Sequence, residues 1–318
     1  MGTRSLRPLA VLAAVLAMAL GVALLTSAAP GDRIDPPAST PKLIFIHHSC
    51  GENWLADDDG GLGIALRDAG YFVGDTNYGW GPVCEDCEEC WGAIGDCTDT
   101  LHWDNWFSDS GSDVVLGALY AEFGQASWYS RCEDPDPARE NEIILFKSCY
   151  PNSNLSGSPE DPPAANGEEL SVGRAKAMYL EVLAYFATRQ DKLFVAITAP
   201  PVAADDSWED PANARAFNDW LVNSWLADYP HANVAVFDFY NVLTSNGGDP
   251  YTNDADSEAG NHHRWWDGAV QHTQTVHSDL AAYGGGDSHP TSAGNRKATA
   301  EFLPLLNVYY HRWQADRG

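Results

Sequence analysis

Hydrophobic positions along the chain fall into short unbroken runs separated by stretches of helical period. Lys42–His47 reads Lys-Leu-Ile-Phe-Ile-His, and Glu142–Lys147, Lys192–Thr198 and Asn233–Phe239 have the same character. Runs of aliphatic, β-branched and aromatic residues without polar alternation suit strands buried on both faces of a sheet. A weaker run at Tyr71–Val73 adds a fifth strand. Between the runs, helical spacing of apolar residues marks Gly63–Ala69, Asp113–Phe123, Leu170–Arg189, Ala212–Asp228 and Ala293–Trp313. Pro211 opens the fourth of these, where its missing N–H does no harm. Strands alternating with helices predict an α/β domain with a mostly parallel, five-stranded sheet covered on both faces. Gly74–Ser112 and Asn246–Ser288 show neither period, so they are expected to be long loops within one domain over residues 42–318.

The beginning of the chain follows another grammar. Arg4 and Arg7 precede an uncharged apolar run over Leu9–Leu25, and the small residues Thr26, Ser27, Ala28 and Ala29 follow. That order predicts a signal peptide over residues 1–29, with an uncleaved membrane anchor as the alternative because the run approaches spanning length. A Pro-rich linker over residues 30–41 joins it to the domain. The protein is therefore expected to be secreted or held at the cell surface. Its 45 acidic residues against 18 basic ones give a net charge of −27. Nucleic acid and anionic membranes would be repelled, and no membrane partner is expected beyond the leader.

Export makes the cysteines readable. All seven lie between Cys50 and Cys149, with Cys84, Cys87, Cys90 and Cys97 crowded together. An oxidising compartment favours disulfides, and an odd count leaves one thiol over. The spacing of that cluster also suits a metal, but Glu85, Asp86, Glu88 and Glu89 among the thiols disfavour thiolates. A disulfide-stapled loop is the preferred reading.

In open α/β sheets the functional crevice lies beyond the carboxyl ends of the strands, so the chemistry is sought there. The first strand runs into His47-His48-Ser49-Cys50-Gly51. A serine at that point is placed as a nucleophile, or else caps the next helix. Near the other end, Gly286-Asp287-Ser288-His289-Pro290 precedes the last helix. An acid two residues before a histidine on a Pro-closed turn makes an acid–base unit, the carboxylate fixing the imidazole tautomer.

In the order and spacing of these blocks the chain resembles the SGNH (GDSL-like) hydrolase superfamily. The resemblance implies a three-layer α/β/α, flavodoxin-like fold and an ester-hydrolysing serine mechanism without a cofactor. It makes Ser49 the nucleophile, His289 the base and Asp287 the acid. Asn77-Tyr78-Gly79-Trp80-Gly81 stands for the glycine block, with Gly79 preferred over Gly81, and Ser148-Cys149-Tyr150-Pro151-Asn152-Ser153-Asn154 for the asparagine block, with Asn152 preferred over Asn154. On this resemblance the oxyanion hole is Ser49 N–H, Gly79 N–H and the Asn152 amide. The chain departs from the family where His47-His48 replaces Gly-Asp, where the acid sits two rather than three residues before His289, and in a longer asparagine turn.

His48 and Trp80 are candidate substrate contacts. Cys50 and Cys149 follow neighbouring strands, which raises a disulfide between them. A metal held by His47 and His48 is an alternative, weakened because adjacent residues at a strand end face opposite ways. The stretch bearing His262, His263, Asp267, His272 and His277 is read as a loop wall, and the acids Asp254, Asp256 and Glu258 as a solvated turn. Twelve tryptophans, several in the long loops, suit either aromatic mini-cores or stacking on sugars. The leading function is an exported serine esterase, with acetylated polysaccharide as one candidate substrate. A non-catalytic glycan-binding protein on the same fold is the rival.

Overall fold

The computed structural model describes residues 32–83, 92–108, 113–167, 169–204 and 210–318. Cys84, Cys87 and Cys90 and the expected signal segment lie outside them. In chain order the elements are β1 (Lys42–Ile46), α1 (Ser49–Leu55), α2 (Leu62–Asp68), β2 (Phe72–Thr76), α3 (Trp103–Trp106), α4 (Asp113–Ala121), β3 (Ile143–Lys147), α5 (Val172–Thr188) and β4 (Leu193–Ile197). There follow α6 (Pro211–Asn223), β5 (Val234–Phe237), α7 (Phe239–Val242), β6 (Asn261–Trp266), β7 (Ala269–Gln274) and α8 (Ser292–Asp316).

β1 to β5 form one parallel sheet in the order β2-β1-β3-β4-β5, the flavodoxin-like arrangement. Side chains alternate across it. Leu43, Phe45, Ile143, Leu145, Val195 and Phe237 face a core closed by α1, α2 and α8. Ile44, Ile46, Ile144, Phe146, Phe194 and Val236 face a second core closed by α3, α4, α5 and α6. Two buried faces explain why these strands read as continuous apolar runs.

β2 runs past the expected Tyr71–Val73 to Thr76. Its polar end is buried because Asp75 is fully partnered: Oδ1 accepts from Ala126 N and Tyr129 Oη, and Oδ2 faces His47 Nε2. α6 stops at Asn223, short of the expected Asp228, where Trp225 turns inward and donates from Nε1 to Tyr179 O. The Pro-rich segment lies against α8 from residue 32 onward, through the Arg312–Asp32 ion pair and the Asn307 Nδ2 bond to Ile34 O.

The expected loop over residues 246–288 contains an antiparallel hairpin, β6 with β7. Asp267 and Gly268 both have positive φ, 50° and 81°, as a two-residue hairpin turn requires. Of the histidines read as a loop wall, His262, His263 and His272 belong to this hairpin and His277 lies just past it. His262 Nδ1 bonds Glu301, and His272 Nε2 bonds Asp238, both at 2.8 Å.

Candidate active site

β1 delivers the chain to the carboxyl edge of the sheet, where His47 N still bonds Thr76 O. His48 is extended and occupies the cap position of α1, and Ser49 is the first helical residue. Ser49 is therefore not the cap. The turn is tight: a Cβ on Gly51 would fall 2.4 Å from His47 Cβ, so glycine is required there to seat the His47 ring.

The His289 turn is built separately and pinned from three sides. An antiparallel bridge joins Gly284 to Pro290, Thr291 N bonds Tyr283 O, and buried Ser288 accepts from Ala203 N at its Oγ. These bonds bring His289 Nε2 to 2.8 Å from Ser49 Oγ. On the other side of the ring, Nδ1 lies 3.2 Å from Asp287 Oδ2, and Asp287 Oδ1 accepts from the His289 N–H at 2.9 Å. The Tyr150 ring meets the imidazole edge-on, with centroids 5.0 Å apart. With Nδ1–H directed at Asp287, Nε2 is left to accept the serine proton.

Asp287 reaches the ring from two residues upstream by bonding the backbone and the side chain of the same histidine. The His289 N–H, ahead of the ring contact, holds its carboxyl below the ordinary value. The carboxylate side chain is 67 % exposed, so water screens its hold on the ring. Asp287→Asn is expected to lower kcat roughly 10²-fold, less than the ~10⁴-fold loss typical of a buried triad acid. Steady-state hydrolysis of an aryl acetate by the two proteins checks this. Because the Asp287 carboxyl titrates below its usual range, it stays ionised as pH falls toward about 4, and its own protonation does not set the acid limb above that.

The remaining predicted residues are distributed differently. Gly79 has a φ of 72°, and its N–H donates to Asp96 Oδ1 at 2.8 Å. That donor is already occupied by a carboxylate, which corrects its placement as a free oxyanion donor. Asn152 is buried; its Oδ1 accepts from Thr100 N, while Nδ2 gives one hydrogen to Asp99 and keeps the second. Asn154 is exposed at the end of the same turn.

Trp80 stacks on Trp106 and donates from Nε1 to Glu122, so it packs in a mini-core instead of presenting a face to substrate. His48 is buried, donates from Nε2 to Gly95 O and lies beneath Tyr78, with ring centroids 3.8 Å apart. Burial lowers its pKa. Tyr78 is 61 % exposed, so the stacked pair presents the Tyr78 ring to solvent. Tyr78 and Tyr150 were not singled out from sequence, although each lies inside a block that was.

His47 bonds Asp75 Oδ2 at 3.1 Å and the His48 carbonyl at 2.8 Å. The two adjacent histidines are thus engaged by different partners, which removes the shared-ligand arrangement a His47/His48 metal would need. Cys50 and Cys149 are free thiols, so the expected disulfide is not formed. Cys97 is disulfide-bonded. Among the described residues, Asp219, Asp238 and His272 bring ligand atoms within 4.8 Å of one another. Asp219 lies on α6, His272 on β7, and Asp238 directly follows β5, three strands from β1, or roughly 14 Å across the sheet.

No protein-family model and no curated protein matches this sequence. Two solved structures are similar in outline. One is a Bacteroides fragilis protein provisionally termed an acylhydrolase, 12 % identical, covering 86 % of this chain and 89 % of its own, with a TM-score of 0.41. The other is a Corynascus thermopiles (Myceliophthora fergusii) carbohydrate esterase family 2 enzyme plus carbohydrate-binding domain, 10 % identical. That alignment covers 86 % of this chain and 68 % of the other, with a TM-score of 0.36. At these scores neither likeness adds to the argument from the geometry of the site.

Proposed function

We propose that the protein is an exported serine esterase. Ser49 is the nucleophile, His289 the general base and Asp287 the residue that orients the imidazole. The observation that supports this reading is the 2.8 Å contact from Ser49 Oγ to His289 Nε2, between two segments pinned by independent hydrogen bonds. As Ser49 Oγ attacks the ester carbonyl, Nε2 takes its proton, and the imidazolium returns it to the departing alcohol. A water molecule activated by the same nitrogen then releases the acyl group. The developing oxyanion is assigned to the Ser49 N–H, at the first position of α1 where no intrahelical acceptor exists, and to the second Asn152 amide hydrogen.

The net charge of −27 disfavours anionic esters. The exposed Tyr78 ring beside Ser49 offers an apolar face of the kind on which a sugar or aryl group stacks, which keeps acetylated carbohydrate as the first natural substrate to try.

The test is turnover of short-chain aryl acetates by the secreted portion, followed by a fluorophosphonate probe and peptide mapping. Turnover that stops as one probe molecule attaches to Ser49 is expected. Turnover that survives the probe and stops with a chelator would overturn the serine mechanism in favour of a metal. Glycan binding with no ester turnover and no labelling of Ser49 would favour the binding protein.

A further inference from the structure

The outer edge of the sheet carries a cavity that the Ser49 site does not use. β5 is the last strand, and Val222 at the end of α6, Val270 on β7 and Tyr309 on α8 stand around its outer side. The cavity has a volume of about 370 Å³, within the range of small-molecule sites. It is not shaped to take a sixth strand. Tyr309 Oη already donates to Val236 O at 2.8 Å, and the Asp238 N–H donates to His263 Nδ1 at 2.9 Å. Backbone groups taken by side chains are not free to join a ladder.

One polar side chain is aimed into this apolar space. His263 is 4 % exposed, lines the cavity beside His272, and stacks on Phe237 at an interplanar angle of 14°. Its Nδ1 lone pair receives the Asp238 N–H, so the ring hydrogen sits on Nε2. Burial, ahead of the neighbouring His272, holds its pKa down at about 3, and the ring is neutral. Among the described residues Nε2 has no hydrogen-bond partner, and protein does not seal it in as it seals Nε2 of His262. A buried donor without a protein acceptor is costly unless something in the cavity receives it.

The charges around the cavity are already paired. Arg312 gives Nε and Nη2 to Asp32 at 2.7 and 3.2 Å, and His272 Nε2 meets Asp238 Oδ2 at 2.8 Å. Asp316 accepts from Ala232 N at the other end. An anion would meet these three carboxylates without an unpaired cation to offset them. A carbonyl oxygen suits His263, because it accepts a hydrogen and brings none of its own to be stranded among Val222, Leu226 and Val270. We infer that this cavity is a second binding site, for an uncharged apolar molecule whose ketone, ester or amide oxygen accepts from His263 Nε2. It lies three strands from β1 and does not depend on the esterase reading.

The experiment is fluorescence titration of the protein with prodan, an uncharged naphthyl ketone whose emission moves to the blue in apolar surroundings. Two analogues accompany it: dimethylaminonaphthalene, which lacks the carbonyl, and dimethylaminonaphthoate, which carries a carboxylate. Saturation at one equivalent is expected, with the ketone bound roughly 3- to 10-fold tighter than the analogue without a carbonyl, the worth of one hydrogen bond. The carboxylate is expected to bind more weakly than the ketone. Val270→Trp fills the cavity from a partly buried position on β7 and is expected to weaken ketone binding about tenfold or more, at an unchanged unfolding temperature. His263→Phe keeps the stack on Phe237 and is expected to bind ketone and carbonyl-free analogue alike; if it does not fold, the comparison of probes on the wild type carries the test. Equal affinity of the wild type for those two probes would overturn the proposal, as would no saturable binding or tighter binding of the carboxylate. So would binding that Val270→Trp leaves intact, the result expected of a probe lodged beside Ser49. The readout is binding and uses no ester turnover, so failure here and failure of the esterase reading can be told apart.

Discussion

Ser49→Ala and His289→Ala are each expected to reduce kcat on an aryl acetate by about 10⁴-fold or more, and the double variant no further. The two side chains act as one unit through a single 2.8 Å contact, so removing either leaves the other without a task. What survives is binding and the oxyanion donors, which by themselves retain some 10³-fold over water in enzymes of this kind. KM is expected to change little, because neither residue contributes much to ground-state binding. Unchanged unfolding temperatures for both variants are needed to read the loss as chemistry. A Ser49→Ala protein with a tenth of the wild-type rate, or losses that multiply in the double variant, would show that the contact is structural. Serine and histidine would then be neighbours without a shared proton.

The sheet and the Ser49–His289 pair were legible in the sequence for different reasons. β1, β3, β4 and β5 announced themselves because both of their faces are buried, which leaves no polar position to interrupt the run. β2 showed only its first residues, since its polar end is buried where Asp75 is bonded by Ala126 and Tyr129 from a distant segment. The hairpin was missed although Asp267-Gly268 is a hairpin-turn signal. Its flanks carry His262, His263 and Arg264, which no hydropathy pattern marks as buried. They are tolerated there because His262 Nδ1 meets Glu301, His263 Nδ1 accepts from the Asp238 backbone N–H, and Arg264 Nε donates to Gln271.

Within the site, the order of blocks was enough to select Ser49 and His289. The donors were harder to place. Gly79 stands at a suitable spacing, but whether its N–H is free depends on Asp96, seventeen residues away across a loop with no regular period. Trp80 reads as an exposed loop aromatic until Trp106 and Glu122 are found against it. Spacing along the chain identifies reactive side chains; it does not say which backbone donors the loops have already used.

The seat of Ser49 rests on one side chain. Trp54 lies on α1 just over a turn beyond Ser49, has no exposed surface, and packs among Phe45, Phe237, Phe239 and Phe302 at centroid distances of 4.7 to 6.0 Å. Its Nε1 donates to Thr299 Oγ1 on α8 at 2.9 Å. The ring thus ties α1 to β1, β5 and the helix that follows His289. Trp54→Ala is expected to cost about 3–5 kcal/mol, the lost transfer energy plus a cavity the surrounding rings cannot fill. For a domain of this size that lowers the unfolding temperature by roughly 10 °C. Trp54→Phe keeps most of the volume and loses the Nε1 bond, so about 1–2 kcal/mol is expected. Both are read by thermal and denaturant unfolding with circular dichroism. The effect on catalysis should exceed the effect on folding: at a temperature where Trp54→Ala is fully folded, kcat should still fall, because α1 can shift and lengthen the Ser49–His289 contact. An unfolding temperature within 2 °C of wild type would mean that α1 is held by its other contacts, Leu55 and the Gly51–His47 packing foremost. A large loss of stability with unchanged kcat would mean that Ser49 is positioned from β1 alone.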